Sequence, residues 1–422
     1  MNLFSWFFVS FMLAGLLLEL WLNGRQLRYV RNHSSEVPRE FRDKIDLEQH
    51  QKAASYTFSK LKFGNVSLVI STLLLLAWTL GGGISALYDL FTPLSWPEIS
   101  KGTVFLLSAM IVMSLLELPL SAWNTFVIEQ RFGFNRQTAG QYAKDQIINL
   151  ILVIMLGGPL IWVILWLMQI SGEFWWLYAW AVWMSFMLVM TWAFPTFIAP
   201  LFNKFQPLED GELRARLSGL LKRCDFRDNG MFVMDGSRRS SHGNAYFTGF
   251  GKNKRIVFFD TLLTQLDPPE TEAVLAHELG HFKHKHILKR LISVAIMTLI
   301  GFALLGWLNQ QNWFFLGLGV SQQSNSLALL LFTMAIPVFT FFLQPVNAWF
   351  SRKHEFEADA FAVQQSSGND LITALVKLYR DNANTLTPDP LYSSFHHSHP
   401  PASVRIAHIY SKINPNLSAV EG

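Results

Sequence analysis

A single cysteine, Cys224, occurs among the 422 residues, so the chain cannot form an intramolecular disulfide. We interpret Cys224 as a small buried hydrophobic residue. Charged residues are also scarce, at 15% against about 25% in an average soluble domain. Hydrophobic residues make up 51% of the chain, including 36 Phe and 15 Trp. This balance argues against a soluble globular protein and predicts a membrane protein.

Seven segments have the length of about 20 mostly apolar residues that a helix needs to cross a bilayer. They are Leu3–Leu22, Val66–Leu90, Val104–Trp123, Ile147–Ile170, Phe174–Ile198, Ile287–Leu308 and Leu327–Phe342. No Lys or Arg precedes the first segment, so we expect a retained helix there rather than a cleaved signal peptide. The sequence therefore predicts a multi-pass protein of the lipid bilayer with seven transmembrane helices.

Basic residues concentrate in alternate connections between these segments. Residues 23–63 contain nine (Arg25, Arg28, Arg31, Arg39, Arg42, Lys44, Lys52, Lys60 and Lys62), and residues 124–146 contain Arg131, Arg136 and Lys144. The connections on the other side contain only Lys101. By the positive-inside rule, the N-terminus is expected outside and the C-terminus and zinc site on the cytoplasmic side. If the protein is bacterial, the membrane is expected to be the inner membrane. Such residues determine topology and indicate no nucleic-acid partner.

The chain alternates between membrane and water-facing blocks. We divide it into helices one to five with their loops (1–199), a cytoplasmic α+β region (200–286), helices six and seven (287–348) and a cytoplasmic C-terminal region (349–422). In the α+β region, a helix with a leucine stripe is expected to end at Asp228-Asn229-Gly230. Three β-type runs follow, MFVMD at 231–235, AYFTGF at 245–250 and RIVFF at 255–259. The predicted fold is mainly α, with one small sheet.

Residues 274–286 read VLAHELGHFKHKH and contain the pattern H-E-x-x-H at His277, Glu278 and His281. A spacing of four places both imidazoles on one helical face, where they can bind one zinc ion. Glu278 projects about 100° around the helix, where it can take a proton from water at the metal without being a ligand. His284 and His286 are expected to face lipid headgroups, since further ligands would close the position that catalysis needs.

A third ligand must come from elsewhere, and residues 351–359, SRKHEFEAD, offer candidates on a helix that extends from the seventh segment. Glu355 could bind the ion while Asp359 accepts the N–H of a ligating histidine. Glu357 competes with Glu355 for the ligand role. With three ligands, one position remains for water that attacks a peptide carbonyl. His399 could stabilise the oxyanion, or it could be one surface histidine among several.

Together these motifs resemble the type I CAAX prenyl proteases, integral-membrane zinc metalloproteases with seven spans. The resemblance rests on HELGH (277–281), SRKHEFEAD (351–359), PTFIAPLFNKFQPL (195–208), the GFN of RFGFNRQT (131–138) and HPP (399–401), and it covers nearly the whole chain. It implies seven helices that enclose a chamber with the zinc site at the cytoplasmic end. That chamber would account for Glu117 within the third segment, although a helix-packing contact would do so equally well.

The resemblance also implies residue roles. It makes Glu355 rather than Glu357 the third zinc ligand and Asp359 its partner in the same motif. Asn244 and Ala245 fall on an edge strand that pairs with extended substrate. His399 and Arg405 fall on substrate-facing positions.

The implied substrates are peptides or proteins, prenylated or membrane-associated. Two alternatives remain open from the sequence. One is a quality-control protease of the heat-shock type, which differs only in its substrate. The other is a transporter or scaffold with a structural zinc site, against which Glu278 argues because such a site needs no base.

Overall fold

The computed structural model describes residues 1–248 and 253–414. Helices account for most of them: α1 Leu3–Asn32, α2 Leu47–Trp78, α3 Gly83–Asp89, α4 Glu98–Trp123, α5 Gln130–Phe132, α6 Ala139–Leu152, α7 Gly158–Ile170, α8 Trp175–Ala193, α9 Ala199–Phe202, α10 Glu212–Arg223, α11 Asp260–Gln265, α12 Pro268–Lys283, α13 His286–Leu308, α14 Asn312–Gly317, α15 Asn325–Thr340, α16 Gln344–Gln365, α17 Gly368–Asp381, α18 Pro390–His396 and α19 Ala402–Ile413. The strands are β1 Phe205–Pro207, β2 Arg227–Met234, β3 Ala245–Thr248 and β4 Asn253–Phe259.

Seven helical segments of the described chain are long and apolar enough to cross a membrane, which confirms the predicted number. They are Leu3–Asn32, Leu47–Trp78, Glu98–Phe132, Ala139–Ile170, Gly172–Phe202, His286–Leu308 and Asn325–Gln365. Short π-helical turns at Asn124–Glu129, Val153–Gly157 and Phe194–Ile198 join the shorter helices into continuous spans. The protein is therefore a multi-pass membrane protein.

The second span differs from its predicted bounds. It begins at Leu47 instead of Val66, and it ends at Trp78 instead of Leu90. The glycines that follow explain the early end. Gly82 has φ +82°, a left-handed conformation that favours glycine, and a Cβ on Gly81 would lie 2.7 Å from the carbonyl oxygen of Ala77. A separate helix, α3, then begins at Gly83.

The spans form a closed ring. Helix α1 contacts α2, α2 contacts the π-turn that continues α4, and α4 contacts α7. Helix α7 contacts α8, α8 contacts α13, α13 contacts α15, and α15 returns to α1. No residue is buried in the most apolar parts of the second and fifth spans. Helix α15 also contacts α4 and α7. The enclosed chamber stays a prediction.

An apolar cluster closes the ring at the end formed by α14 and the connection between the sixth and seventh spans. Phe105 of α4 and Phe314 and Phe315 of α14 are almost fully buried there. Glu117 lies further along α4 and is exposed. A helix-packing contact therefore does not account for its presence in the span.

The water-facing part contains the predicted small sheet, with strand order β1-β2-β4-β3. Strand β2 runs parallel to β4, while β1 and β3 pair antiparallel with their neighbours. Of the predicted run 245–250, residues 249–250 lie outside the described residues. Helix α10 ends at Arg223, because Asp225 adopts a left-handed φ of 60°. The expected end at Asp228-Asn229-Gly230 is wrong, since those residues belong to β2.

Helices α12 and α16 position the candidate site. Gly280 of α12 faces Ala358 of α16 so closely that a Cβ there would lie 2.9 Å from the Ala358 Cα. Span six begins directly after α12, and α16 continues from span seven without leaving helical structure. Both helices are therefore anchored in the ring at the end opposite the Phe105 cluster.

Candidate active site

Three side chains from two helices converge on one point. His277 Nε2 lies 3.3 Å from His281 Nε2 and 3.5 Å from Glu355 Oε2, and His281 Nε2 lies 3.4 Å from Glu355 Oε1. A tetrahedral zinc with bonds of about 2.0–2.1 Å separates its ligand atoms by about 3.3–3.4 Å. The donor types and their spacing therefore fit a zinc ion. Within the described chain these residues form the one such group of three.

Glu355 is 3% exposed, and three nitrogens surround its Oε2: His399 Nδ1 at 2.8 Å, His277 Nε2 at 3.5 Å and Arg405 Nη1 at 3.6 Å. None of them meets the geometry of a good hydrogen bond to this oxygen. Desolvating a carboxylate without well-placed partners is costly. A cation between Glu355 and the two histidines would offset that cost.

The outer nitrogen of His277 is held by Asp359. Its Nδ1 lies 2.8 Å from Asp359 Oδ1, and Asp359 is fully buried. Arg405 donates from Nη2 to Oδ1 at 2.6 Å and from Nε to Oδ2 at 2.9 Å. Burial and the nearby Arg405 lower the pKa of His277, but the Asp359 and Glu355 carboxylates outweigh them and raise it to about 9 in the metal-free site.

Arg405 occupies a different position from the one expected. Its side chain is 10% exposed and lies behind His277, bonded to Asp359, rather than on a substrate-facing surface. Burial lowers the pKa of this guanidinium, but the Asp359 charge outweighs that effect and raises it above its usual value. A buried guanidinium requires such a carboxylate partner, and the sequence pattern alone did not reveal which one.

The outer nitrogen of His281 has a different partner. Its Nδ1 lies 3.0 Å from His286 Nδ1, and His286 Nε2 lies 2.8 Å from Glu357 Oε2. His286 is 5% exposed, so the expectation that it faces headgroups is wrong, whereas His284 is exposed. Glu357 contacts His286 and belongs to no group of three ligand atoms in the described chain, unlike Glu355. The sequence reasoning missed the role of His286; the available signal was a third histidine five residues beyond His281.

Glu278 follows His277 on α12 and is partly buried. No hydrogen bond or ion pair engages its carboxylate in residues 1–248 and 253–414. His399 lies beside Glu355 at the distance given above, and its side chain is 63% exposed. Both side chains therefore adjoin the ligand group and are open to approach by another molecule.

Asn244 and Ala245 lie at the start of the edge strand. Ala245 opens β3 opposite Phe258 of β4, and the exposed Asn244 accepts the Phe259 N–H through its carbonyl at 3.0 Å. Strand β3 is the last in the sheet order, so its outer edge has no strand partner among the described residues. Phe247 of β3 packs on Phe282, the residue after His281, with ring centroids 5.3 Å apart. The edge strand therefore lies beside the ligand helix.

Comparison with known proteins gives matches over nearly the whole chain. Residues 26–204 match the family described as "CAAX prenyl protease N-terminal, five membrane helices", and residues 207–413 match "Peptidase family M48". The chain is 36% identical to the CAAX prenyl protease 1 homolog of Arabidopsis thaliana, covering 94% of this chain and 95% of that protein. It is 34% identical to the CAAX prenyl protease 1 of Saccharomyces cerevisiae, covering 94% and 93%.

The fold is similar to that in the crystal structure of S. mikatae Ste24p. The TM-score is 0.90 at 31% sequence identity, with 97% of this chain and 99% of that chain covered. The likeness therefore includes both the membrane ring and the water-facing region.

Proposed function

The chain belongs to the CAAX prenyl protease family within peptidase family M48 and is a membrane metalloprotease; from that premise we propose that it hydrolyses peptide bonds at a zinc ion held by His277, His281 and Glu355. The observation that supports this proposal most is the spacing of the three donor atoms, 3.3–3.5 Å apart. It matches the edges of a tetrahedral coordination shell with one further position for a reactant.

When bound, zinc supplies a Lewis acid that lowers the pKa of water to about 7 and polarises the scissile carbonyl. Glu278 takes the proton from the attacking water and returns it to the leaving amine; among the described residues, no side chain binds its carboxylate. Asp359 accepts the Nδ1–H of His277, which fixes the tautomer with Nε2 directed at the ligand group. His399 donates a hydrogen bond to the developing oxyanion.

The substrate is bound as an extended peptide along the outer edge of β3, near Asn244 and Ala245. Main-chain hydrogen bonds to an edge strand hold a peptide without strong selection of its side chains. This edge lies beside α12, as the contact between Phe247 and Phe282 indicates. We propose substrates that are prenylated CAAX proteins or other membrane-associated segments, and a site on the cytoplasmic face with the N-terminus outside.

The proposed role of Glu278 is tested with Glu278→Gln in the purified full-length protein. The amide keeps the size of the side chain but cannot accept the water proton, so peptide cleavage should fall by about 100-fold or more. Bound zinc, measured by elemental analysis, should stay near one ion per chain. Cleavage at the wild-type rate would refute the mechanism, and loss of zinc would show that Glu278 holds the metal instead.

The substrate class is tested by comparing prenylated and unprenylated CAAX peptides with an unfolded membrane protein. Preferential cleavage of the prenylated peptide supports the CAAX assignment. Preference for the unfolded protein identifies a quality-control protease that uses the same chemistry. A zinc chelator should abolish activity on either substrate, and added zinc should restore it.

A further inference from the structure

We propose that Glu357 and His286 form a clamp that positions the metal ligand His281, an inference that rests on the proposed zinc site. The clamp consists of two contacts in series: His281 Nδ1 to His286 Nδ1 at 3.0 Å, and His286 Nε2 to Glu357 Oε2 at 2.8 Å. Both lie within hydrogen-bond distance. The Glu357 carboxylate therefore supports His281 through His286, whereas the Asp359 carboxylate contacts His277 directly.

The proton positions in the clamp follow from the chemistry of a zinc ligand. His281 can direct the Nε2 lone pair at the metal only if Nδ1 carries the proton. His281 Nδ1–H then donates to His286 Nδ1, which leaves the proton of neutral His286 on Nε2. His286 Nε2–H in turn donates to Glu357, whose carboxylate accepts only. Each contact thus has one donor and one acceptor in a single consistent arrangement.

The backbone brings His286 to His281 by breaking the helix between them. A continuous helix would place a residue five positions later about 140° around the axis, away from the face of His281. Instead α12 ends at Lys283, Lys285 takes a left-handed φ of 56°, and α13 begins at His286. Left-handed backbone is unfavourable for lysine, so the surrounding contacts must compensate for it.

Helix α16 holds the other side of His286. The His354 ring stacks on His286 with centroids 4.0 Å apart and planes 15° apart, and Glu357 binds the ring edge. The same helix carries the ligand Glu355. One turn of α16 therefore supplies the proposed ligand Glu355 and two of the contacts that orient His286. The His284 ring adds a third contact, with its centroid 5.6 Å from that of His286.

His281 depends on this clamp more than His277 depends on any single contact. The side chain of His281 is 20% exposed, against 8% for His277. Within the described chain, His286 provides the one side-chain bond to His281 Nδ1. Partners of this kind behind a metal ligand typically contribute about 10- to 100-fold in metal affinity. The clamp should therefore act on zinc binding rather than on folding.

The test measures zinc affinity of the full-length protein by competition with a chelator. His286→Phe keeps a ring but removes both nitrogens and should raise the zinc dissociation constant by about 10- to 100-fold. His286→Asn restores an acceptor near the Nδ1 position and should recover most of the affinity. The visible absorption of the cobalt-substituted protein should shift in the Phe variant and return toward wild type in the Asn variant.

Lys283→Gln is the matched control, since Lys283 is exposed in the same turn and has no hydrogen bond or ion pair among the described residues. Wild-type affinity in the Phe variant overturns the clamp, as does equal loss in the Asn variant or in the Lys283 control. If the Phe variant does not fold, Glu357→Gln takes its place in the same measurement. This variant should lose less zinc affinity than the Phe variant, and an unchanged affinity would refute the clamp. Retained zinc in Glu355→Ala would instead refute the proposed metal site.

Discussion

Replacing Arg405 should loosen the C-terminal helix against the ligand helices while leaving the metal ligands in place. In Arg405→Met, Asp359 Oδ2 loses the donor at 2.9 Å and Oδ1 loses the donor at 2.6 Å, so the His277 contact alone remains. Removing one partner of a buried ion pair costs about 3–5 kcal/mol. Since about 1.4 kcal/mol corresponds to a factor of ten, local opening should become roughly 10² to 4 × 10³ times more frequent.

Hydrogen exchange of amides in α19, Ala402–Ile413, measures this opening directly. Lys412→Met is the matched control, because Lys412 is exposed on the same helix and should leave exchange unchanged. Arg405→Lys should give an intermediate result, since an ammonium keeps the charge but not the two parallel bonds. The reasoning fails if Arg405→Met leaves exchange in α19 unchanged and instead raises only the KM for peptide, as a substrate-binding arginine would.

Two further predictions concern metal binding. The pKa of His277 is raised to about 9 in the metal-free site, so the protonated ring stabilises the folded protein. This contribution to the free energy of unfolding should be complete below about pH 6.5 and should be lost as the pH rises through 9. Zinc competes with that proton, so chelator competition should show affinity rising by up to about tenfold per pH unit below 9 and levelling off above; a flat profile would contradict this. Gly280→Ala should push α12 away from Ala358 at a cost of about 1–3 kcal/mol and weaken zinc binding, whereas Gly219→Ala, where a Cβ meets nothing closer than 3.6 Å, should not. Equal zinc affinity in these two variants would show that the helices adjust without moving the ligands.

Much of the fold follows from hydrophobic segment length, and the number of spans was predicted on that basis. The ends of the spans were not predicted correctly, because local backbone features determine where each helix stops. Gly81 and Gly82 end the second span twelve residues before its apolar run does. The π-turn at Asn124–Glu129 extends the third span past its expected end at Trp123. The division into four blocks stays a prediction.

The candidate ligands His277 and His281 were predictable because they lie four residues apart on one helix, and the resemblance to a known family selected Glu355. The group that surrounds them was not. His286 faces His281 because the helix breaks at Lys285, and no periodicity argument anticipates a left-handed lysine. Arg405 is buried against Asp359, a contact between residues 46 positions apart that depends on how α16 and α19 pack.

The ring of seven spans also bears on how a hydrolase can exist beside other membrane proteins without damaging them. Its ligand helices extend from the sixth and seventh spans, and the far end of the ring is closed by buried phenylalanines. A folded neighbour in the bilayer therefore meets only the outer wall. Under the proposed function, the architecture therefore acts as a sieve that favours extended, unstructured segments over folded neighbours.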